Sequence, residues 1–186
     1  IAIGRDALTA LTSGAGNTVI GYQAGDLLST GGSNTILGYG AGGNFDAEDY
    51  NVAIGRGAFS GASSAGYCIA VGGNAMQGNA TQDGTVAIGY TTLNALTSGV
   101  GNTAIGHTAM AAETDGSYST AVGYLALNDL TGIGGTAANV AVGYGAAKLL
   151  VTGINNTVMG FNAFDAAQDN ESYNVAIGAD AMGACD

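Results

Sequence analysis

The stretch Asn51-Val52-Ala53-Ile54-Gly55-Arg56-Gly57-Ala58 decides the fold, because it is one rung of an array. Its aliphatic–glycine step first occurs at Ile3-Gly4 and returns at Gly21, Gly38, Gly55, Gly72, Gly89, Gly106, Gly123, Gly143, Gly160 and Gly178. The spacing is seventeen residues in eight intervals, twenty in one and eighteen in one. Eleven copies at a near-constant period mark a solenoid, whose units bury their apolar surface only against their neighbours. β-Branched and aliphatic residues fill the positions before the glycine, as in Thr18 to Ile20, Val86 to Ile88 and Val140 to Val142, and predict a strand there.

Working outward, glycine-rich turns at Ser13-Gly14-Ala15-Gly16, Gly31-Gly32-Ser33, Ser98-Gly99-Val100-Gly101 and Gly134-Gly135-Thr136 leave room for a second short strand per coil and none for a helix. The expected fold is all-β: a parallel β-roll or β-solenoid of eleven coils and about 17 residues per coil, forming one unit over residues 1–186 of a longer fibrous chain. Leu8 and Leu11, Leu93 and Leu96, and Leu127 and Leu130 are placed to supply the opposing wall of a thin core. Three extra residues before Asn139 and one before Asn174 are expected to bulge at turns.

Both faces of the strand are apolar, with Ala in eight of eleven units one residue before the large aliphatic. Adjacent strand residues point to opposite sides, so one face fills the coil and the other needs a cover. The expectation is that the Ile side points inward and that the small Ala/Gly face meets further copies of the chain. Proline is absent, which suits strands paired on both edges, since proline would remove a ladder hydrogen bond.

Three basic and fourteen acidic residues give a net charge of −11, which opposes binding to nucleic acid or to anionic lipid. No apolar run reaches the roughly 18 residues of a membrane helix, so no direct membrane insertion is expected. Cys68 and Cys185 lie about seven coils apart, roughly 30 Å at ~4.8 Å per coil, too far for a disulfide.

Asn51-Val52-Ala53-Ile54-Gly55 and Asn174-Val175-Ala176-Ile177-Gly178, with Asn102-Thr103-Ala104-Ile105-Gly106, resemble the Asn-Ser-Val-Ala-Ile-Gly repeats of YadA-like heads in trimeric autotransporter adhesins. They also resemble the Asn-Thr-Ala-Ile-Gly-Tyr arrays of phage tail fibres, to which the Tyr after the glycine is closer. The resemblance implies a left-handed parallel β-roll, three chains side by side as a homotrimer, and a structural shaft or attachment segment of a virus tail fibre. Its partner would be a host cell-surface glycan or protein receptor. The alternative is an adhesin head on a bacterial cell surface; a polysaccharide-degrading tailspike and an ice-binding solenoid are further readings.

All nine tyrosines occupy two slots of the repeat. Tyr22, Tyr39, Tyr90, Tyr124 and Tyr144 follow the key glycine, and Tyr50, Tyr67, Tyr118 and Tyr173 precede the Asn slot. Equivalent positions one coil apart should form broken aromatic ladders, which either stiffen the roll or stack on sugars. The first five are the candidate glycan contacts, with Tyr124 and Tyr144 favoured because they flank the insertion from Thr131 to Ala138, where regularity breaks. Asn17, Asn34, Asn51, Asn102, Asn139, Asn156 and Asn174 share a turn slot, where Asn suits the left-handed backbone and stacked amide bonds. Cys68, Thr85 and Ser119 replace Asn there, which makes Cys68 a small substitute rather than a nucleophile.

His107 occupies the variable tyrosine slot and has no second metal ligand in its coil, and the acidic residues Asp46, Glu48, Asp49, Glu113, Asp115, Asp165, Asp169 and Glu171 read as a solvated edge. No cofactor, metal or catalytic group is expected. The Gly38-Tyr39-Gly40-Ala41-Gly42-Gly43 match to a dinucleotide-binding pattern arises from the array and lacks the helix that pattern requires.

Overall fold

The computed structural model describes residues 1–61, 64–131, 134–165 and 170–183. Eleven strands form one parallel sheet in chain order: Ala2–Ile3, Thr18–Ile20, Thr35–Leu37, Val52–Ile54, Ile69–Val71, Val86–Ile88, Thr103–Ile105, Thr120–Val122, Val140–Val142, Thr157–Met159 and Val175–Ile177. The chain is therefore an all-β parallel solenoid of about ten turns, stepping by about seventeen residues. Register follows the repeat, so Ala53, Ala70, Ala87 and Ala104 stand directly above one another.

The key glycines make this stacking possible. At Gly89 φ is +142°, and a Cβ there would lie 2.3 Å from the carbonyl oxygen of Gly106 in the next coil. Both requirements exclude a side chain, the first because of backbone sterics and the second because two backbones touch. The close approach is held by inter-coil bonds in which Gly106 N donates to Ile88 O (2.8 Å) and Thr108 N to Tyr90 O (3.0 Å).

Among the described residues each coil carries one regular strand rather than the two expected; a second short pairing, Gly116–Ser117 with Gly135–Thr136, occurs there only at the insertion. Past the glycine the chain alternates into left-handed conformation, as at Thr91 (φ 50°) and Leu93 (φ 48°), so it curls instead of pleating. The insertion is described except for residues 132–133, and the extra residue before Asn174 falls at 166–169, outside the described residues.

The orientation of the strand reverses the expectation. Ala53, Ala70, Ala87, Ala104, Ala121 and Ala141 are fully buried, whereas Ile88 and Ile105 are 37 % and 38 % exposed. The reason is width: the interior is already filled by Leu93, Leu96, Met110, Leu127 and Leu130 from the opposite wall, all buried. Only a small strand residue fits against them. At two of the three larger inward residues, Val19 and Ile36, the facing wall shrinks to glycine: a Cβ on Gly25 or on Gly42 would lie 3.1 Å from Ile36 Cδ1; the third, Val158, is buried with Phe164 in that slot. The leucine wall is thus as expected and the strand is flipped.

Candidate functional site

Two surfaces follow from this geometry. The first is the outer face of the sheet, where the residues flanking the buried one project. One column runs Ile3, Ile20, Leu37, Ile54, Val71, Ile88, Ile105, Val122, Val142, Met159 and Ile177; its companion alternates Thr with Val and Ile. None of the eleven is buried. The result is a straight apolar strip the length of the solenoid.

The second surface adjoins it, because the slot after the key glycine turns the chain off the sheet. Stacked there are Tyr22 on Tyr39 (ring centroids 5.3 Å apart) and an unbroken run of five rings. In that run Tyr90 meets His107 at 5.3 Å, His107 meets Tyr124 at 5.1 Å, Tyr124 meets Tyr144 at 5.3 Å, and Tyr144 meets Phe161 at 5.2 Å. The expected candidates Tyr22, Tyr39, Tyr90, Tyr124 and Tyr144 thus lie in one column, and His107 and Phe161 complete it. Sequence reading placed His107 in the tyrosine slot but weighed it only as a metal ligand, and passed over Phe161; the signal was the slot, in which any planar ring stacks. His107 acts there as a rung, its Nδ1 3.4 Å from Thr108 Oγ1. Arg5 caps the lower end, its guanidinium carbon 5.7 Å from the Tyr22 ring centre.

The second tyrosine slot gives one stacked pair, Tyr50 on Tyr67 at 5.1 Å. These residues hold the left-handed conformation (Tyr50 φ 60°, Tyr67 φ 58°) that had been assigned to the neighbouring Asn. The Asn side chains instead form a buried inter-coil ladder. Asn17 Oδ1 accepts from Asn34 N (2.9 Å) and Asn34 Oδ1 from Asn51 N (2.9 Å), while each Nδ2 donates to a carbonyl fourteen residues on, Gly31 for Asn17 and Glu48 for Asn34. Cys68 occupies the slot as expected: its backbone N donates to Asn51 Oδ1 (2.9 Å), and burial pushes its thiol above the usual range. Cys185 lies outside the described residues.

The acidic edge is only partly solvated. Glu113 is fully buried in a wall position where neighbouring coils carry Leu96 and Leu130, and its Oε1 accepts from the backbone N–H of Thr114, Asp115 and Gly116 (2.8, 3.0 and 2.7 Å). Those three bonds satisfy Oε1 within the turn, while the buried Oε2 has no hydrogen-bond partner among the described residues. Glu48 is also buried, and desolvation raises its carboxyl above the ordinary range, opposed by the backbone N–H of Asp46 donating to Oε2. Asp49 and Asp83 do face outward, but each accepts from a glycine N–H of the coil below, Gly32 at 2.6 Å and Gly66 at 2.7 Å. Asp169 lies outside the described residues.

Among the described residues no group of three His, Cys, Asp or Glu is placed to hold a metal ion, and no helix is long and apolar enough to cross a membrane. Comparison with family models, curated proteins and solved structures finds no match to the chain.

Proposed function

We propose that the chain is a structural shaft and attachment segment of a virus tail fibre, in which three copies of a left-handed β-roll pack side by side as a homotrimer and present the aromatic column to a host cell-surface glycan. The observation that carries this reading is the outward apolar strip. Three residues wide and ten coil steps long, it measures about 10 by 48 Å, on the order of 500 Å². That is at the upper end for the largest apolar patch on a monomer, and such patches mark interaction sites. Closing three identical strips around one axis covers every copy, whereas open pairing would leave a strip free and invite filaments. The net charge of −11 then keeps finished assemblies apart. The aromatic column lies next to the strip, not within it, and so remains available for contact.

The test is mass and location together. Light scattering after size exclusion should return three times 18.0 kDa, and Ile88→Glu with Ile105→Glu should lower that mass. Antibodies against the segment should decorate a fibre on virions. A stable folded monomer of the parent chain would overturn the assembly.

A further inference from the structure

The aromatic column is interrupted once between its two runs, over two slots, of which one holds Arg56 and the other no side chain at all. Slot by slot the column reads Arg5, Tyr22, Tyr39, Arg56, Gly73, Tyr90, His107, Tyr124, Tyr144, Phe161, Ala179. We propose that the vacant rung at Gly73 is a binding site for one carboxylate-bearing pyranose, a uronic or sialic acid residue, stacked on Tyr90 and held by Arg56. This deepens the reading of the column as the glycan-contacting face and rests on it.

Three observations converge. Rungs are 5.1 to 5.3 Å apart, so a ring seated at the level of Gly73 lies about 5 Å from the Tyr90 ring, within the 4.5–7 Å range of stacked rings. The face of Tyr90 toward the gap is uncovered: Tyr90 is 54 % exposed against 44 % for Tyr124 inside the run. The floor is bare backbone, since a Cβ on Gly73 would meet only Tyr90 Cδ2 and Cε2, at 3.2 and 3.5 Å.

Charge then selects the ligand. Arg56 sits one rung below the gap, is exposed, and among the described residues makes neither an ion pair nor a ring stack, unlike Arg5, which is 3.5 Å from Asp6 and lies over Tyr22. In a chain with three basic and fourteen acidic residues, an uncommitted guanidinium next to an open aromatic face offers a carboxylate charge-assisted hydrogen bonds. Asn74, in the adjoining slot, offers an amide to ring hydroxyls; its Oδ1 lies 2.8 Å from the place a Cβ on Gly57 would take. The other tyrosine slot has a gap of the same length, at Gly84 and Gly101 between Tyr67 and Tyr118, but both of its positions are glycine and no cation borders it in that slot.

The probes are methyl β-glucuronide and the methyl glycoside of N-acetylneuraminic acid, with methyl β-glucoside as the neutral control, titrated against the intact assembly by NMR of the tyrosine rings. Saturable shifts at Tyr90, stronger with the acidic sugars, are expected. Arg56→Gln should weaken the acidic ligands about tenfold, the worth of a hydrogen bond to a charged group, and leave the glucoside unchanged. Gly73→Tyr should fill the rung and abolish binding; its φ lies outside the left-handed region, and the Tyr90 ring, 3.2 Å from the new Cβ, must give by a few tenths of an ångström to admit it, so a melting curve of the variant accompanies the titration. Tyr173→Ala, in the other tyrosine slot, should not matter. Equal response to acidic and neutral sugars, retention of binding in Gly73→Tyr, or equal loss in Tyr90→Ala and Tyr173→Ala overturns the site. Acidic-sugar binding by a chain that decorates no virion fibre would keep the site and remove the tail-fibre reading instead.

Discussion

Replacing Gly89 by Ala adds one methyl group at the point where two coils touch. The new Cβ would sit 2.3 Å from Gly106 O, 2.6 Å from Gly106 C and 2.6 Å from Thr92 Oγ1. Reaching an ordinary contact near 3.2 Å requires opening the coils locally by about 0.9 Å, which stretches Gly106 N to Ile88 O from 2.8 Å and Thr108 N to Tyr90 O from 3.0 Å beyond hydrogen-bonding range. Two lost bonds cost about 0.5–1.5 kcal/mol each, and an Ala at φ +142° adds about 1–3 kcal/mol of backbone strain. The sum is about 2–6 kcal/mol, a large share of a stability of roughly 5–15 kcal/mol. Because coils couple only to their neighbours, the array should also melt in two stages, split at the mutated joint. Gly84→Ala is the comparison: φ is +77° there and nothing lies within 4 Å of its Cβ, so backbone strain of about 1 kcal/mol is all it should show. Circular dichroism melts at fixed protein concentration measure both. If Gly89→Ala melts like Gly84→Ala, close coil approach is not what the glycine serves.

The flipped strand predicts that Ala104→Leu overpacks the interior and costs about 1–3 kcal/mol, whereas Ile105→Ala leaves the coil intact and weakens association, read by denaturation and by mass. Cys68→Asn should raise the melting temperature by about 2–4 °C, equivalent to ~1 kcal/mol, because a new Nδ2 would reach Gln82 O, now only 3.8 Å from the Cys68 sulfur. The buried Cys68 should resist alkylation until the fold opens; its raised thiol pKa favours the neutral form, so its contribution to stability holds below the unfolded thiol's range and fades as pH rises through the folded value. Glu48 has the same sign, since burial raises its pKa: the advantage of Glu48→Gln over the parent should be greatest at neutral pH and shrink as acid protonates the carboxyl.

What was legible in the sequence was whatever depends on position in the period. The glycine step, the parallel stack, the leucine wall at Leu93 and Leu96, and the Asn column all follow from asking which residues recur seventeen apart. What was not legible depends on volume across the coil. Ala104 and Ile105 are both apolar neighbours on one strand, and alternation alone assigns them to opposite faces without saying which is inside. The answer lies in the facing wall: Met110 and Leu127 already fill the space that an inward Ile would need, and Gly25 and Gly42 appear where Ile36 does point in. That pairing of a large inward residue with glycine was present in the sequence in two coils, but Val158 faces Phe164 and Ala141 faces Ala147, so the pattern alone did not fix the strand's direction.

The same logic of slots over residue types reorders the candidate site. Sorting by tyrosine makes Tyr39 and Tyr90 the ends of separate ladders and leaves His107 as a lone histidine; sorting by slot joins His107 and Phe161 to the stack and isolates Gly73 as the vacant rung between the runs. A rigid array in which every coil repeats its neighbour offers a ligand the same weak contact many times over. Specificity therefore has to come from a rung that differs, and in this column the differing rung is the one bordered by an uncommitted arginine.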